Sequence, residues 1–165
     1  MKNLFLFISC IFLFSCNQDQ KVIKRTGEPD VLQIEGTDAR MNGAIKKANE
    51  TLSLFDAVLA SKDTSITGIA LKVRFDTSNG GEHIWLTDVT KKNGHYNGVI
   101  GNSPTATTAV KLGDTVLVPD EDISDWMYVE EGKLRGGYTI RVLRDEMSDE
   151  EKKTFDEENG LIIED

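Results

Sequence analysis

The sequence predicts a single-domain α+β fold: one curved antiparallel sheet of about five strands, able to curl toward a barrel, packed by one long N-terminal helix and one or two short C-terminal helices. Three observations predict it. Apolar residues recur at helical spacing from Met41 to Leu59, five short strand-like runs separated by glycine turns follow between residues 65 and 130, and helical spacing returns after Gly136-Gly137. Residues 38–160 have the length of one ordinary domain, which can bury a core without covalent staples.

The amino terminus comes before the fold. Met1-Lys2-Asn3 supplies a positive start, and Leu4 to Leu13 is apolar apart from Ser9, the pattern of a signal peptide. The run is shorter than the ~20 apolar residues that a membrane-spanning helix needs. Leu13-Phe14-Ser15-Cys16 resembles the processing site of bacterial lipoproteins, which implies cleavage before Cys16 and a lipid on its sulfur. Cys10 also follows a serine, but only five apolar residues precede that pair, fewer than the 7–15 of a signal-peptide middle. The expected organisation is a signal peptide over 1–15, a tether over 16–37, a globular domain over 38–160 and a tail over 161–165.

Processing changes the chemistry of what remains. Residues 1–15 take away Lys2 and no acid, so the whole-chain charge of −9 becomes −10, and a lipidated Cys16 with Cys10 removed leaves no disulfide, thiolate or cysteine ligand. With basic residues only in scattered pairs such as Lys46-Lys47 and Lys91-Lys92, that charge opposes nucleic acid and anionic head groups.

The tether, rich in polar residues, contains one extended candidate at Val31, Leu32 and Ile34, an edge strand for the sheet. Met41, Ile45, Ala48, Leu52, Phe55 and Leu59 then form one helical stripe, with Thr37 or Asp38 able to cap its first free amides. Ser65–Thr77 alternates through Ile69, Leu71, Val73 and Phe75, with Lys72 and Arg74 on the other face. Ser78-Asn79-Gly80-Gly81 turns the chain into a second strand over His83–Thr90, and Asn93-Gly94 is a hairpin signal leading into Tyr96–Gly101. Thr115–Val118 and Asp125–Glu130 complete the five, the last ending at a Glu131-Gly132 turn. Tyr138–Met147 is a short helix with Ile140, Leu143 and Met147 on one side, and Ser148-Asp149-Glu150-Glu151 is a capping box opening another helix that stops near Gly160.

Several of these segments carry a resemblance in both sequence and spacing. Asp38-Ala39-Arg40-Met41-Asn42, Glu82-His83-Ile84-Trp85, Lys111-Leu112-Gly113-Asp114, Asp122-Ile123-Ser124, Asp125-Trp126-Met127-Tyr128 and Gly136-Gly137-Tyr138-Thr139 with Arg141 resemble the YegJ-like family, a bacterial domain of unknown function. The resemblance runs over residues 38–156 and implies neither an activity nor a cofactor.

Candidate chemistry is sparse. His95 sits at a hairpin tip, where exposure is expected, whereas His83 opens a strand two residues before Trp85. No Gly-x-Ser-x-Gly elbow accompanies it, and Ser124 has no nucleophile context. Asp120, Asp122, Ser124 and Glu131 match a calcium loop at its first, third, fifth and twelfth positions, but Asp125 stands where the loop needs glycine, so no metal is expected. Gly136-Gly137 before a helix offers free amides to an anion, with Arg141 as a charged fork; the plainer reading is a tight turn with Arg141 paired to Asp125 or Asp122. The candidate binding groove is accordingly His83, Trp85, Asp125, Trp126, Tyr128, Gly136, Gly137, Tyr138 and Arg141, a set that also contains an aromatic core as its simpler interpretation.

These features predict a lipid-anchored, monomeric binding or protein-interaction module on the periplasmic or outer side of a bacterial envelope, with no cofactor, held to the membrane through Cys16. An envelope hydrolase using His83, Asp125 and Arg141 is the alternative, and it requires those side chains to converge. A third reading is an immunity-like or stress protein whose acidic surface meets a basic partner.

Overall fold

A computed structural model describes residues 21–23, 31–33, 38–61, 63–78 and 80–164. Cys16 and the expected signal segment lie outside these residues, as does Asn79 of the expected turn. The chain divides into two units, residues 1–34 and 35–165. In the first, β1 (Lys21–Ile23) and β2 (Val31–Gln33) form an antiparallel pair with Val22 opposite Leu32. The expected strand at Val31-Leu32 is therefore extended, but its partner is β1 and not the large sheet.

In the second unit, α1 (Ala39–Glu50) and α2 (Leu52–Ser61) precede β3 (Thr67–Thr77), β4 (Gly80–Lys92), β5 (His95–Ile100), β6 (Thr115–Val118), β7 (Ile123–Glu130) and β8 (Lys133–Gly136), and α3 (Tyr138–Asp145) and α4 (Asp149–Asn159) close the chain. The six strands make one antiparallel sheet in the order β6-β5-β4-β3-β7-β8, open because its end strands do not pair. Bulges between Thr67 and Ala70, between Lys72 and Val73 and between Thr87 and Thr90 interrupt its ladders, and such interruptions bend and twist strands.

The helical stripe holds, but the single long helix is two. Asp38 caps α1 by accepting from the amides of Arg40 and Met41 at 2.8 and 3.1 Å. At Thr51 the hydroxyl lies 2.8 Å from the Lys47 carbonyl oxygen and competes with the helical ladder, a back-bond that bends helices. The broken end then docks on β7: the Trp126 indole Nε1 donates to the Ala48 carbonyl at 2.9 Å, and Asn49 Nδ2 donates to that of Ile123 at 3.0 Å.

The sixth strand is β8, which the sequence does not announce because its four residues alternate Lys133 and Arg135 with a single large apolar residue, Leu134. Two of the hairpin turns use paired positive φ angles, 53° and 82° at Asn93-Gly94 and 51° and 77° at Glu131-Gly132, the backbone that matches strand twist. The chain after α4 is no free tail: Ile162 bridges Lys133 in parallel, and Ile163 is buried. The main core lies between α1-α2 and one sheet face, with Ala48, Phe55, Leu71, Val73, Ile84, Leu86, Tyr96, Ile100, Val118, Ile123 and Trp126 buried together.

Two polar clamps fix the periphery. Tyr96 Oη donates to Asp56 Oδ1 at 2.6 Å while Lys91 Nζ reaches Asp56 Oδ2 at 2.8 Å, joining α2 to the β4–β5 hairpin. Glu82 anchors the connection between β5 and β6, accepting from the Thr105 amide and hydroxyl and from the amides of Ala106 and Thr107 at 2.6–2.9 Å. Burial alone would raise the Glu82 pKa, but those four donors outweigh it and hold it below its ordinary value. Its stabilisation is thus full above about pH 4.5, the unfolded value, and is lost as pH falls through the lower folded value. Glu82→Gln is expected to cost about 1 kcal/mol at neutral pH and to flatten the acid-side fall in stability, measured by urea unfolding at a series of pH values.

Candidate functional site

Asp125 sits on β7 opposite Lys72 of β3, and its side chain is completely buried. A carboxylate in that position demands donors, and the chain supplies four. Oδ1 accepts from the amides of Trp126 and Tyr138 at 2.8 and 3.1 Å, and Oδ2 accepts from the amide and hydroxyl of Thr139 at 2.8 and 2.6 Å. Two of these amides are the first free N–H groups of α3, whose N-cap is Gly137, a residue with no side chain to satisfy them. Asp125 is thus the cap of a helix that begins thirteen residues later in the chain.

The glycine pair is required by the same arrangement. Gly136 and Gly137 have φ of 67° and 60°, and a Cβ on Gly136 would collide with the Trp126 carbonyl oxygen and indole. The Gly137 amide donates to that carbonyl at 2.8 Å. Trp126 stacks on Tyr128 with ring centroids 5.9 Å apart and meets Tyr138 edge-on at 5.7 Å, and Phe55 lies 5.9 Å away. Trp126, Tyr128 and Tyr138 therefore belong to an aromatic core and do not line a groove with Trp85, which stands on the opposite sheet face.

Arg141 corrects a second expectation. It pairs with neither Asp125 nor Asp122; its guanidinium donates to the backbone carbonyls of Gly136, Leu134 and Glu164, strapping the end of the chain to β8 and the start of α3. Asp120–Asp122 is a short 3₁₀ turn, and Ser124 is buried in β7, donating to the Lys72 carbonyl at 3.2 Å. His83, Asp125 and Arg141 have no hydrogen-bond partner in common. His95 is exposed at the start of β5.

The residue that links the two halves of the expected groove is Lys72, which the sequence shows only as a charge on the polar side of an alternating strand. Its Nζ donates to Thr139 Oγ1 at 3.1 Å and lies 5.3 Å from the centre of the Trp85 ring. Trp85, Lys72, Thr139 and Asp125 form a continuous chain of contacts from β4 across β3 to β7 and α3. Burial pushes the Lys72 ammonium below its ordinary pKa and the Asp125 carboxyl above its own, each opposed by the other's charge. Two depressions of about 400 Å³ lie elsewhere, one beside Arg144, Lys152 and Asp156, the other where β3 and β4 separate near Gly68 and Asp88.

The architecture is that of a one-domain α+β protein whose most distinctive motif is a helix cap supplied by a strand. The chain belongs to a family of uncharacterized proteins conserved in bacteria, DUF2314, which it matches over residues 38–163. It is 37% identical over 144 residues to "Uncharacterized protein YegJ" of Escherichia coli, covering 87% of this chain and 88% of that protein. It is 29% identical over 143 residues to a "Putative ankyrin repeat protein" of Neisseria meningitidis serogroup B, covering 82% of this chain but only 56% of that protein. No solved structure matches the chain significantly.

Asp125→Ala would leave three buried amides and the Thr139 hydroxyl without their acceptor, and a loss of about 3 kcal/mol is expected in chemical denaturation. Thr139→Val keeps the backbone donor and should lose about half as much.

Proposed function

We propose that this protein is a lipid-anchored component of the bacterial envelope whose domain is a binding or protein-interaction module. The observation that carries the reading is the use to which the family motif is put. Asp125 is saturated as a helix cap, Trp126 is buried, Arg141 binds backbone carbonyls, and Gly136-Gly137 form the turn between them. Groups with their hydrogen bonds committed to the scaffold are poorly placed for acid–base work on a substrate. The outward face of the central strands keeps side chains free for recognition.

Membrane attachment in this proposal comes from the lipid on Cys16. No helix of the described residues is long and apolar enough to cross a membrane, and the acidic surface does not favour anionic head groups. A short tether after Cys16 would set the domain close to the bilayer.

Labelling cells with a fatty-acid analogue should mark the wild-type chain and leave Cys16→Ser unmarked, as read from the immunoprecipitated protein. Equal labelling of the two would remove the anchor. In-cell crosslinking of the wild type should recover a specific envelope partner or ligand; repeated failure to capture one would count against the interaction module.

A further inference from the structure

The outward face of the two central strands carries donors that the chain itself does not use. Leu71 and Val73 of β3 and Ile84 and Leu86 of β4 point into the core, so the alternate residues Lys72, Arg74, His83 and Trp85 point away from it. Register sets Lys72 opposite Trp85 and Arg74 opposite His83. Opposed residues have Cβ atoms about 5 Å apart, and residues two apart on one strand lie about 7 Å apart. The four side chains therefore frame one patch near the middle of the sheet.

Three of these side chains carry a positive charge or can acquire one. Lys72 has three N–H donors, of which one reaches Thr139 Oγ1, and no carboxylate among the described residues lies within ion-pair distance of it. Its nearest acid in the network, Asp125, is reached only through Thr139. Arg74 has five donors and uses two groups, on Asp76 Oδ1 at 2.7 Å and on the Gly80 carbonyl at 3.2 Å. The imidazole of the exposed His83 has no hydrogen-bond partner among the described residues.

The electrostatics agree with the placement. His83 is pushed down to about 4, by crowding of the ring away from water and by the positive charges of Lys72 and Arg74. The acidic groups nearby are engaged: Asp76 with Arg74, Asp125 with the α3 cap, and Glu82 with the amides of residues 105–107.

We infer that Lys72, Arg74 and His83, with Trp85 as the surface against which Lys72 rests, form a binding site for an oxyanion of the phosphate type. This deepens the binding-module reading and rests on it. Lys72 supplies a charge taken out of water and offset by Asp125 only at one remove, through Thr139 with no direct ion pair, and charge-assisted hydrogen bonds to an oxyanion would relieve the remaining cost. Arg74 supplies its remaining fork, and His83 supplies one N–H when neutral and two when protonated. A small cationic patch on a strongly acidic chain suits a small anion better than a polyanion, which the net negative charge would repel.

The test uses the full chain in non-ionic detergent and follows backbone amides and both imidazoles by NMR. Inorganic phosphate at neutral pH, against chloride at equal ionic strength, should shift resonances of residues 72–74 and 83–85. Sulfate, which keeps its charge throughout the acid range, should raise the His83 pKa by about one unit, equivalent to about tenfold tighter binding to the protonated form, and leave His95 unmoved. Lys72→Met should weaken phosphate binding about tenfold or more, and His83→Gln, at an exposed position, should remove the acid-side gain in affinity. Shifts spread over the surface lysines, equal responses of His83 and His95, or unchanged affinity in a folded Lys72→Met chain would overturn the site. Acetate binding as well as phosphate would overturn the phosphate-type assignment in favour of a carboxylate ligand. A silent patch in a chain that still crosslinks to a specific envelope partner would defeat this inference alone; a silent patch and no partner would defeat the module as well.

Discussion

A buried carboxylate with no room for water must be satisfied by the chain, and at Asp125 that requirement organises everything around it. The amides that answer it come from the start of α3, so the helix is positioned by a strand residue and not by its own first turn. Leaving those amides and that carboxylate unpaired in a dry interior would cost several times what the bonds contribute net, about 1–3 kcal/mol for each unsatisfied group. The penalty for misplacing α3 relative to β7 is therefore steep, and the geometry is correspondingly well specified.

The neighbouring residue extends the constraint to the other end of the domain. Trp126 is almost fully buried, and its indole N–H takes the Ala48 carbonyl at the end of α1. That carbonyl lies in the last turn of a helix, where the Thr51 amide and hydroxyl reach it only at 3.3 Å and leave it acceptor capacity. The break at Thr51 is thus functional within the fold: it supplies an acceptor for a tryptophan that would otherwise bury its donor. Thr51 also meets Tyr138 through their hydroxyls at 3.0 Å, so α1, β7 and α3 converge on two consecutive residues. Burying an indole removes roughly 200 Å² from water, worth about 5 kcal/mol at the usual coefficient, a gain available only if its N–H is satisfied.

Much of the fold is legible in the sequence because it is written in local patterns. Alternation in β3, the Asn93-Gly94 turn, the Ser148 to Glu151 capping box and the stop at Gly160 are each decided within a few residues. What escaped is long-range. A helix break at Thr51 depends on Trp126 and Tyr138, far along the chain, and β8 is held by β7 on one side and by Ile162 on the other. The site shows the same division. Asp125, Trp126, Gly136, Gly137, Tyr138 and Arg141 were singled out together and do come together, but as a scaffold, since a sequence records that residues matter without recording whether they face inward. Lys72 and Thr139 carry no signal in the sequence, because a lysine on the polar side of a strand and a threonine in a helix look ordinary until register sets them beside a buried acid.

The scaffold and the outward patch are not separate features. Thr139 Oγ1 donates to Asp125 Oδ2 and in turn accepts from Lys72 Nζ, so the hydroxyl that completes the cap also fixes the ammonium on the opposite side. Lysine is a flexible side chain, and holding its end against Thr139 and the Trp85 ring removes rotamer freedom before any ligand arrives. A cation anchored in this way presents its remaining donors in a set direction, and what anchors it is the hydroxyl that completes the buried Asp125 cap. The arrangement explains why a lysine is tolerated in a central strand without a direct ion pair: its charge is offset at one remove, through a hydroxyl, and its other N–H donors are not taken up by a carboxylate. A direct Lys72–Asp125 pair would have neutralised both groups and taken up such a donor, and the cap on α3 would have lost an acceptor to it.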